Sequence, residues 1–236
     1  EHTGAVGLGN KVVRAERHGH DLVDLGRARR ENDDGNLGFA ANLMADVLAV
    51  FDGEEPLFVE SITHSAEELA PFDCVADQYE FRRELVLDCL KRHSVPLDSL
   101  TAIVSRGGLL TPIEAGAYEV NDDMVWQLKN KPQNEHASNV GAMIARSISL
   151  QLGIPAYIYD AVTSGELTDV AKITGFVDIE RRSFCHVLNS RAMALRYARE
   201  HGKHYEELNL IVAHLGGGIS ASVHRHGEII DSVGDD

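Results

Sequence analysis

The chain has 236 residues, 44% of them hydrophobic, and its 37 acidic against 22 basic side chains give a formal charge of -15. That length supports one large or two smaller globular domains. The acidity argues against a broad nucleic-acid or anionic-membrane surface, where basic residues would have to neutralise phosphates. Any bound phosphate must therefore be gripped locally. Cys74, Cys89 and Cys185 form neither a CxxC pair nor an even-numbered framework, so neither a zinc site nor a disulfide scaffold is expected, and a cytoplasmic location fits them. No apolar run approaches a membrane span, and the start of the sequence lacks a signal-peptide core.

In chain order, residues 1–36 mix Gly, Arg, Asp and His without a sustained period, and read as disordered or foreign to the fold. From Val47, "VLAVF", "DGEE" and "PLFVESITH" predict a hairpin at a sheet edge, with Asp52-Gly53 supplying the positive φ of a tight turn. "DQYEFRRELVLDCLKRHSV" predicts a surface helix with Phe81, Leu85, Val86, Cys89 and Leu90 on the inner face and charges opposite. "LTAIVSRGGLLTP" is a short buried strand entering a Gly-Gly loop, and "NDDMVWQLKN" a short helix capped by Asn121. "HASNVGAMIARSISLQLG" is an amphipathic helix stopped by Gly153, and "PAYIYDAV" a strand ending on Asp160. "SFCHVLNSRAMALRYAREHG" is a long helix ended by Gly202. This alternation implies an α/β architecture. A second hairpin pattern, "SASVHRHGEIIDS", echoes the first and suggests two related lobes.

Several residues carry candidate chemistry, each with a plainer reading beside it. Gly216, Gly217 and Gly218 follow the apolar strand "LNLIVAHL". Bare backbone there could turn amide N–H groups onto phosphate oxygens, with Ser220 and Ser222 adding hydroxyls; the same glycines also suit a bulged hairpin turn. His214, at the strand end, also reads as a hydrogen-bonded structural histidine. His224 and His226 share a strand face, where a metal pair or a solvated face are the alternatives. Arg106, after a buried strand, could hold carboxylate or phosphate oxygens, or form a surface ion pair. Asp160, at a strand end, could orient a reacting group or cap a helix. His186 could stabilise charge on a phosphoryl group, or be a buried structural residue. Together these residues are the equipment of phosphoryl transfer, where positioning and charge neutralisation do most of the work.

The segments "ITHSAEEL", "DQYEFRRELVL", "IVSRGGLLTPIEAGAYEVND", "NEHASNVGAMIA", "IPAYIYDAV", "ERRSFCHVLNSRAMALRYA" and "NLIVAHLGGGISASVHRHGEIID" closely resemble the butyrate kinase family, which is similar to acetate kinase. The resemblance runs from about Val47 to Asp231. It implies an actin-like ATPase (ribonuclease H-like) fold of two lobes, each a mixed sheet flanked by helices. The expected divisions are 1–36 as an atypical segment, 37–185 as the first lobe and 186–236 as the start of an incomplete second lobe. The implied reaction is ATP-dependent phosphorylation of butanoate to butanoyl phosphate with Mg2+, and acetate or a branched acid as alternative substrates. A non-catalytic binding domain retaining the fold is the reading from another class.

By the same resemblance Arg106, Asp160 and His186 would be catalytic, and His214, Gly216, Gly217, Gly218 and Ser220 would bear on the nucleotide. Glu135, His136 and Asn139 would lie near the substrate cleft, with no residue assigned to a metal. The partners would be small molecules and further copies of the chain, with no nucleic acid and no membrane.

Two departures stand out. Where the family carries a phosphate loop resembling "INPGSTSTKIAVF", this chain reads "FAANLMADVLAVF" from Phe39 to Phe51, with Ala40, Leu43, Met44, Ala45, Asp46 and Val47 at the polar positions. None replaces the lysine, and Asp46 is expected to repel phosphate. A frame shift, a splice or a misplaced start upstream of Val47 would produce this pattern. The second departure is the end at Asp236, before the family's adenosine pocket and second catalytic arginine, so little or no kinase activity is expected of the chain as given.

Overall fold

The computed structural model describes residues 45–53, 55–216 and 218–235. The readings made on residues 1–36, on Ala40, Leu43 and Met44, and on Gly217 lie outside the described residues.

Strands β1 (Ala45–Asp52) and β2 (Glu55–Thr63) pair antiparallel around a tight turn in which Gly53 has φ 66°. The expected hairpin is present. Among the described residues it forms a two-stranded sheet of its own and not the edge of a larger one. What anchors it is the helix beneath. After the short helix α1 (Ala66–Leu69) comes α2 (Tyr79–Arg92), whose buried residues are Cys89, Leu90 and, against the expectation of outward charges, Arg82. Arg82 is only 1% exposed. It donates from Nη1 to Asp46 Oδ1 at 2.6 Å and from Nε and Nη2 to Gln78 Oε1 at 3.0 and 2.8 Å. His64 Nε2 takes the other Asp46 oxygen at 2.9 Å. The Asp46 charge is thus engaged in pinning β1 to α2 and its approach, since a buried guanidinium needs a counter-ion.

The central sheet has the order β3-β5-β4, with β3 (Ile103–Arg106) parallel to β5 (Ala156–Tyr159) and β4 (Ala117–Glu119) antiparallel to it. Helices α3 (Asp122–Asn130) and α4 (Ser138–Leu152) cover this sheet. Asn121 caps α3 by accepting from the Met124 N–H, and Gly153 at φ 68° ends α4, both as the local sequence required. The core here is Leu110, Val120, Leu128, Ala142, Ala145, Ala156 and Ile158.

After the short α5 (Asp169–Lys172), helix α6 (Val187–Glu200) packs on a meander of β6 (Asn209–Leu215), β7 (Ile219–Arg225) and β8 (Glu228–Asp235). Ala194 and Ala198 meet Tyr205, Leu208, Leu210 and Val212. The β7–β8 turn has His226 at φ 54° and Gly227 at φ 85°, the two positive values of a type I′ hairpin. Its register repeats that of the first hairpin. In each, an irregularity precedes two closing pairs, Phe51↔Pro56 and Asp52↔Glu55 in one, His224↔Ile229 and Arg225↔Glu228 in the other. No helix among the described residues is long and apolar enough to cross a membrane.

Candidate active site

Parallel register sets Arg106 against Tyr159, the residue before Asp160. Arg106 and Asp160 therefore emerge at the same carboxyl edge of a parallel strand pair, where open α/β sheets present groups to ligands. The glycines after Arg106 are required by close packing. A Cβ on Gly107 would stand 2.7 Å from Ala161, and Gly108, at φ 52°, would meet Leu128 at 2.9 Å and Asn139 Oδ1 at 3.0 Å. Asn139 is buried and braces this loop, accepting from the Leu109 N–H at 2.8 Å and donating to the Asn134 carbonyl at 2.9 Å. His136 Nδ1 accepts from the Ser138 N–H at 3.1 Å, while Glu135 is exposed. Of the "EHASN" segment, Asn139 thus acts on the arginine loop and Glu135 faces outward.

Asp160 has a positive φ of 42° and a buried side chain. No helix follows it directly, and α5 is capped by Thr168, so the helix-cap reading fails. Both of its oxygens are engaged: Oδ1 accepts from the Gly116 N–H at 3.0 Å and Oδ2 from Arg191 Nε at 2.8 Å. Arg191 also donates to Glu166 Oε2 at 2.6 Å and to the Gly227 carbonyl at 2.9 Å. Glu166 in turn accepts from the Ile229 N–H at 2.7 Å. Burial pushes the Asp160 carboxyl above its ordinary range, with Arg191 pulling it back. Burial opposes the Arg191 charge too, but Asp160 and Glu166 more than offset it and hold the guanidinium above its usual range. Sequence reasoning missed Arg191 and Glu166. The available signal for Arg191 was its setting among the small residues Ser190, Ala192 and Ala194 on a helix.

His186 stands at the N-cap of α6, not within the helix as the sequence suggested. Its Nδ1 lies 2.9 Å from Ser220 Oγ, and its ring stacks on His214 with centroids 3.7 Å apart and planes 7° from parallel. Asn189 Nδ2 donates to His214 Nδ1 at 2.7 Å, which in the neutral ring leaves the proton on Nε2. A Cβ on Gly216 would sit 2.7 Å from that Nε2. Glycine is needed at 216 because the imidazole occupies the space a side chain would fill, and Gly216 is not among the positive-φ residues. The Gly216 N–H closes the turn onto the Gly218 carbonyl at 3.1 Å. Among the described residues, three buried hydroxyls lack a protein partner: Thr163 and Ser164, just past Asp160, and Ser190, between Asn189 and Arg191.

The histidine pair of the second hairpin corrects both readings offered for it. His224 is fully buried, accepting from Tyr205 OH on Nδ1 at 2.6 Å with Nε2 2.8 Å from Ser222 Oγ, whereas His226 lies exposed in the turn. They share neither a metal nor a solvated face. Burial, helped by the Arg191 charge, pushes the His224 pKa down to about 4, and burial raises that of Tyr205 to about 12.

No family model matches the chain. Butyrate kinase 1 of Clostridium acetobutylicum is 46% identical over 184 residues, covering 78% of this chain and 52% of its own length. A probable butyrate kinase of Clostridium botulinum (strain Alaska E43) is 45% identical over the same extent. The chain spans about half the length of these curated relatives. Among solved structures, a propionate kinase from Francisella tularensis matches with a TM-score of 0.50 at 18% identity, covering 82% of this chain and 48% of that one. The fold is accordingly the mixed α/β, actin-like ATPase fold. Over the matching stretch the chain is homologous to the butyrate kinases of the acetate and butyrate kinase family.

Proposed function

We propose that this chain is the acid-binding and phosphoryl-transfer part of a short-chain fatty acid kinase, which moves the terminal phosphoryl group of ATP to the carboxylate of butanoate. The observation that carries this reading is the Arg191 cluster. It ties Asp160, at the strand edge bearing Arg106, to the helix whose N-terminus bears His186. Groups suited to carboxylate, phosphoryl and phosphate are thereby set on one rigid frame.

In this reading Arg106 holds the substrate carboxylate or the transferring group in a bidentate grip. His186, oriented by Ser220 and by stacking on His214, donates to charge developing on the phosphoryl oxygens. His214, Gly216, Gly217, Gly218 and Ser220 bear on the nucleotide phosphates. Asn139 acts by fixing the Arg106 loop, with His136 and Glu135 on the approach to the cleft. Asp160 is spent on Arg191 and Gly116, so it positions the frame and leaves no open carboxylate for Mg2+. Mg2+ would then enter on the nucleotide phosphates, as it commonly does in kinase sites. The first lobe extends over 37–185 and the second begins at 186. The working protein is a cytoplasmic assembly of copies.

The test is a chimera in which the 184-residue matching stretch replaces its counterpart in Clostridium acetobutylicum butyrate kinase 1. Acyl phosphate is trapped as its hydroxamate from butanoate, acetate and a branched acid. Formation well above a no-enzyme blank, fastest with butanoate, is expected. A folded chimera that stays at the blank with every acid points instead to a binding domain that keeps the fold.

A further inference from the structure

We propose that Glu60, Cys89 and His93 form a binding site for one thiophilic divalent cation, with Zn2+ the ion whose ligand preferences they match. Cys89 and His93 stand four residues apart at the end of α2 and so share one helical face, and Glu60 reaches them from β2. One donor atom from each lies within 4.8 Å of the others. Zinc bonds to S, N and O of about 2.0–2.3 Å place tetrahedral ligands about 3.3–3.8 Å apart. A small rotation of the Glu60 carboxylate reaches that spacing, opening its 2.6 Å contact with His93 Nε2 while the His93 ring stays in place.

The three residues are held as metal ligands are held, by outer partners. Arg92 Nη2 donates to Glu60 Oε1 at 2.7 Å, leaving Oε2 turned to His93 Nε2 at 2.6 Å. Phe58 stacks on the His93 ring at 3.8 Å and 5°, which fixes its plane. Cys89 is fully buried at the floor, while the His93 side chain is 35% exposed, so water can complete the tetrahedron from the open side. The Cys89 thiol belongs to the same cluster as a donor to Glu60, which turns its sulfur towards the carboxylate and His93. On binding, the Cys89 proton leaves to solvent as the metal–sulfur bond forms, and His93 binds through Nε2 as its Nδ1–H tautomer.

The spacing of cysteines alone gave no hint of this site, because two of its three ligands are not cysteines. Its consequence is mechanical. Among the described residues β1 and β2 pair only with each other, so contacts such as Asp46–Arg82 and those at Glu60 hold the hairpin to α2. An ion at Glu60 would cross-link β2 to α2. The site shares no residue with the candidate active site, so the two readings fail separately.

The 236-residue chain, stripped of metal with a chelator, is titrated with Zn2+ against a chromophoric competitor and separately with Co2+. Expected are one equivalent bound, a near-ultraviolet thiolate-to-cobalt band, and a higher Tm with Zn2+. Cys89→Ser removes the band. His93→Gln, at a partly exposed position that spares the core, weakens binding by at least about tenfold, the scale seen even for outer partners of metal ligands. Absence of the thiolate band in the parent chain overturns the proposal. So does unchanged affinity and stoichiometry in His93→Gln, which would place the ion elsewhere.

Discussion

The imidazoles of His186 and His214 lie face to face, their centroids 3.7 Å apart, and each is held at its Nδ1 edge: His186 by Ser220, and His214 by Asn189. The His214 ring fills the space beside Gly216. The glycine turn is therefore fixed by a histidine as much as by its own flexibility.

That relationship predicts the effect of Gly216→Ala. The added Cβ would sit 2.7 Å from His214 Nε2, and since the backbone there needs no positive φ, relief must come from the ring. Displacing it breaks the stack on His186. In the butyrate kinase chimera, kcat should fall by about 10²-fold, the cost of a misplacement of about 1 Å, while stability changes by less than about 1 kcal/mol. Steady-state kinetics with a parallel thermal melt separates the two. Unchanged kcat would mean the stacked pair does not bear on the reaction.

Arg191→Met should be strongly destabilising, by about 3–5 kcal/mol in urea unfolding, because it leaves the buried Asp160 without its cation. Without that guanidinium the Asp160 carboxyl rises further and takes up a proton. Asp160→Asn in the Arg191→Met background should then cost much less than it does alone. Additive losses in the double-mutant cycle would show that the two side chains act independently.

His224 gives a pH dependence whose sign follows from its burial. The unfolded imidazole takes a proton near its ordinary 6.5, and the folded one only near about 4. Between those values the unfolded state binds more protons, so the stability is fully present above pH 6.5 and is lost as pH falls towards 4. The contribution is about 3 kcal/mol. Tm should therefore drop more for the parent chain than for His224→Gln between pH 7 and pH 4.5. Equal drops would argue against a neutral His224 bonded to Tyr205 and Ser222.

What the sequence revealed was mostly local. The hairpin turns at Gly53 and Gly227, the Asn121 cap and the Gly153 stop depend on residues a few positions apart, and all formed where expected. Arg106 and Asp160 were legible as strand-end residues for the same reason. The buried charges were not. Arg82 finds Asp46 at a separation of 36 residues, and Arg191 finds Asp160 at 31, so helical periodicity placed Arg82 on the outer face and gave no sign of Arg191. His224 was likewise misjudged, since strand alternation shows which residues share a face but not which face Tyr205 covers. Asp46 looked hostile to phosphate in isolation, and in the fold its oxygens belong to Arg82 and His64.

The most direct test of the kinase reading is phosphorus NMR of the chimera supplied with Mg-ATP and butanoate, run beside the same chimera carrying Arg106→Ala. An acyl-phosphate signal should grow with the parent sequence, and the arginine variant should slow it by about 10²–10³-fold, as loss of one donor to the reacting group does elsewhere. A folded parent chimera that forms no acyl phosphate, or an arginine variant as fast as the parent, would contradict the account.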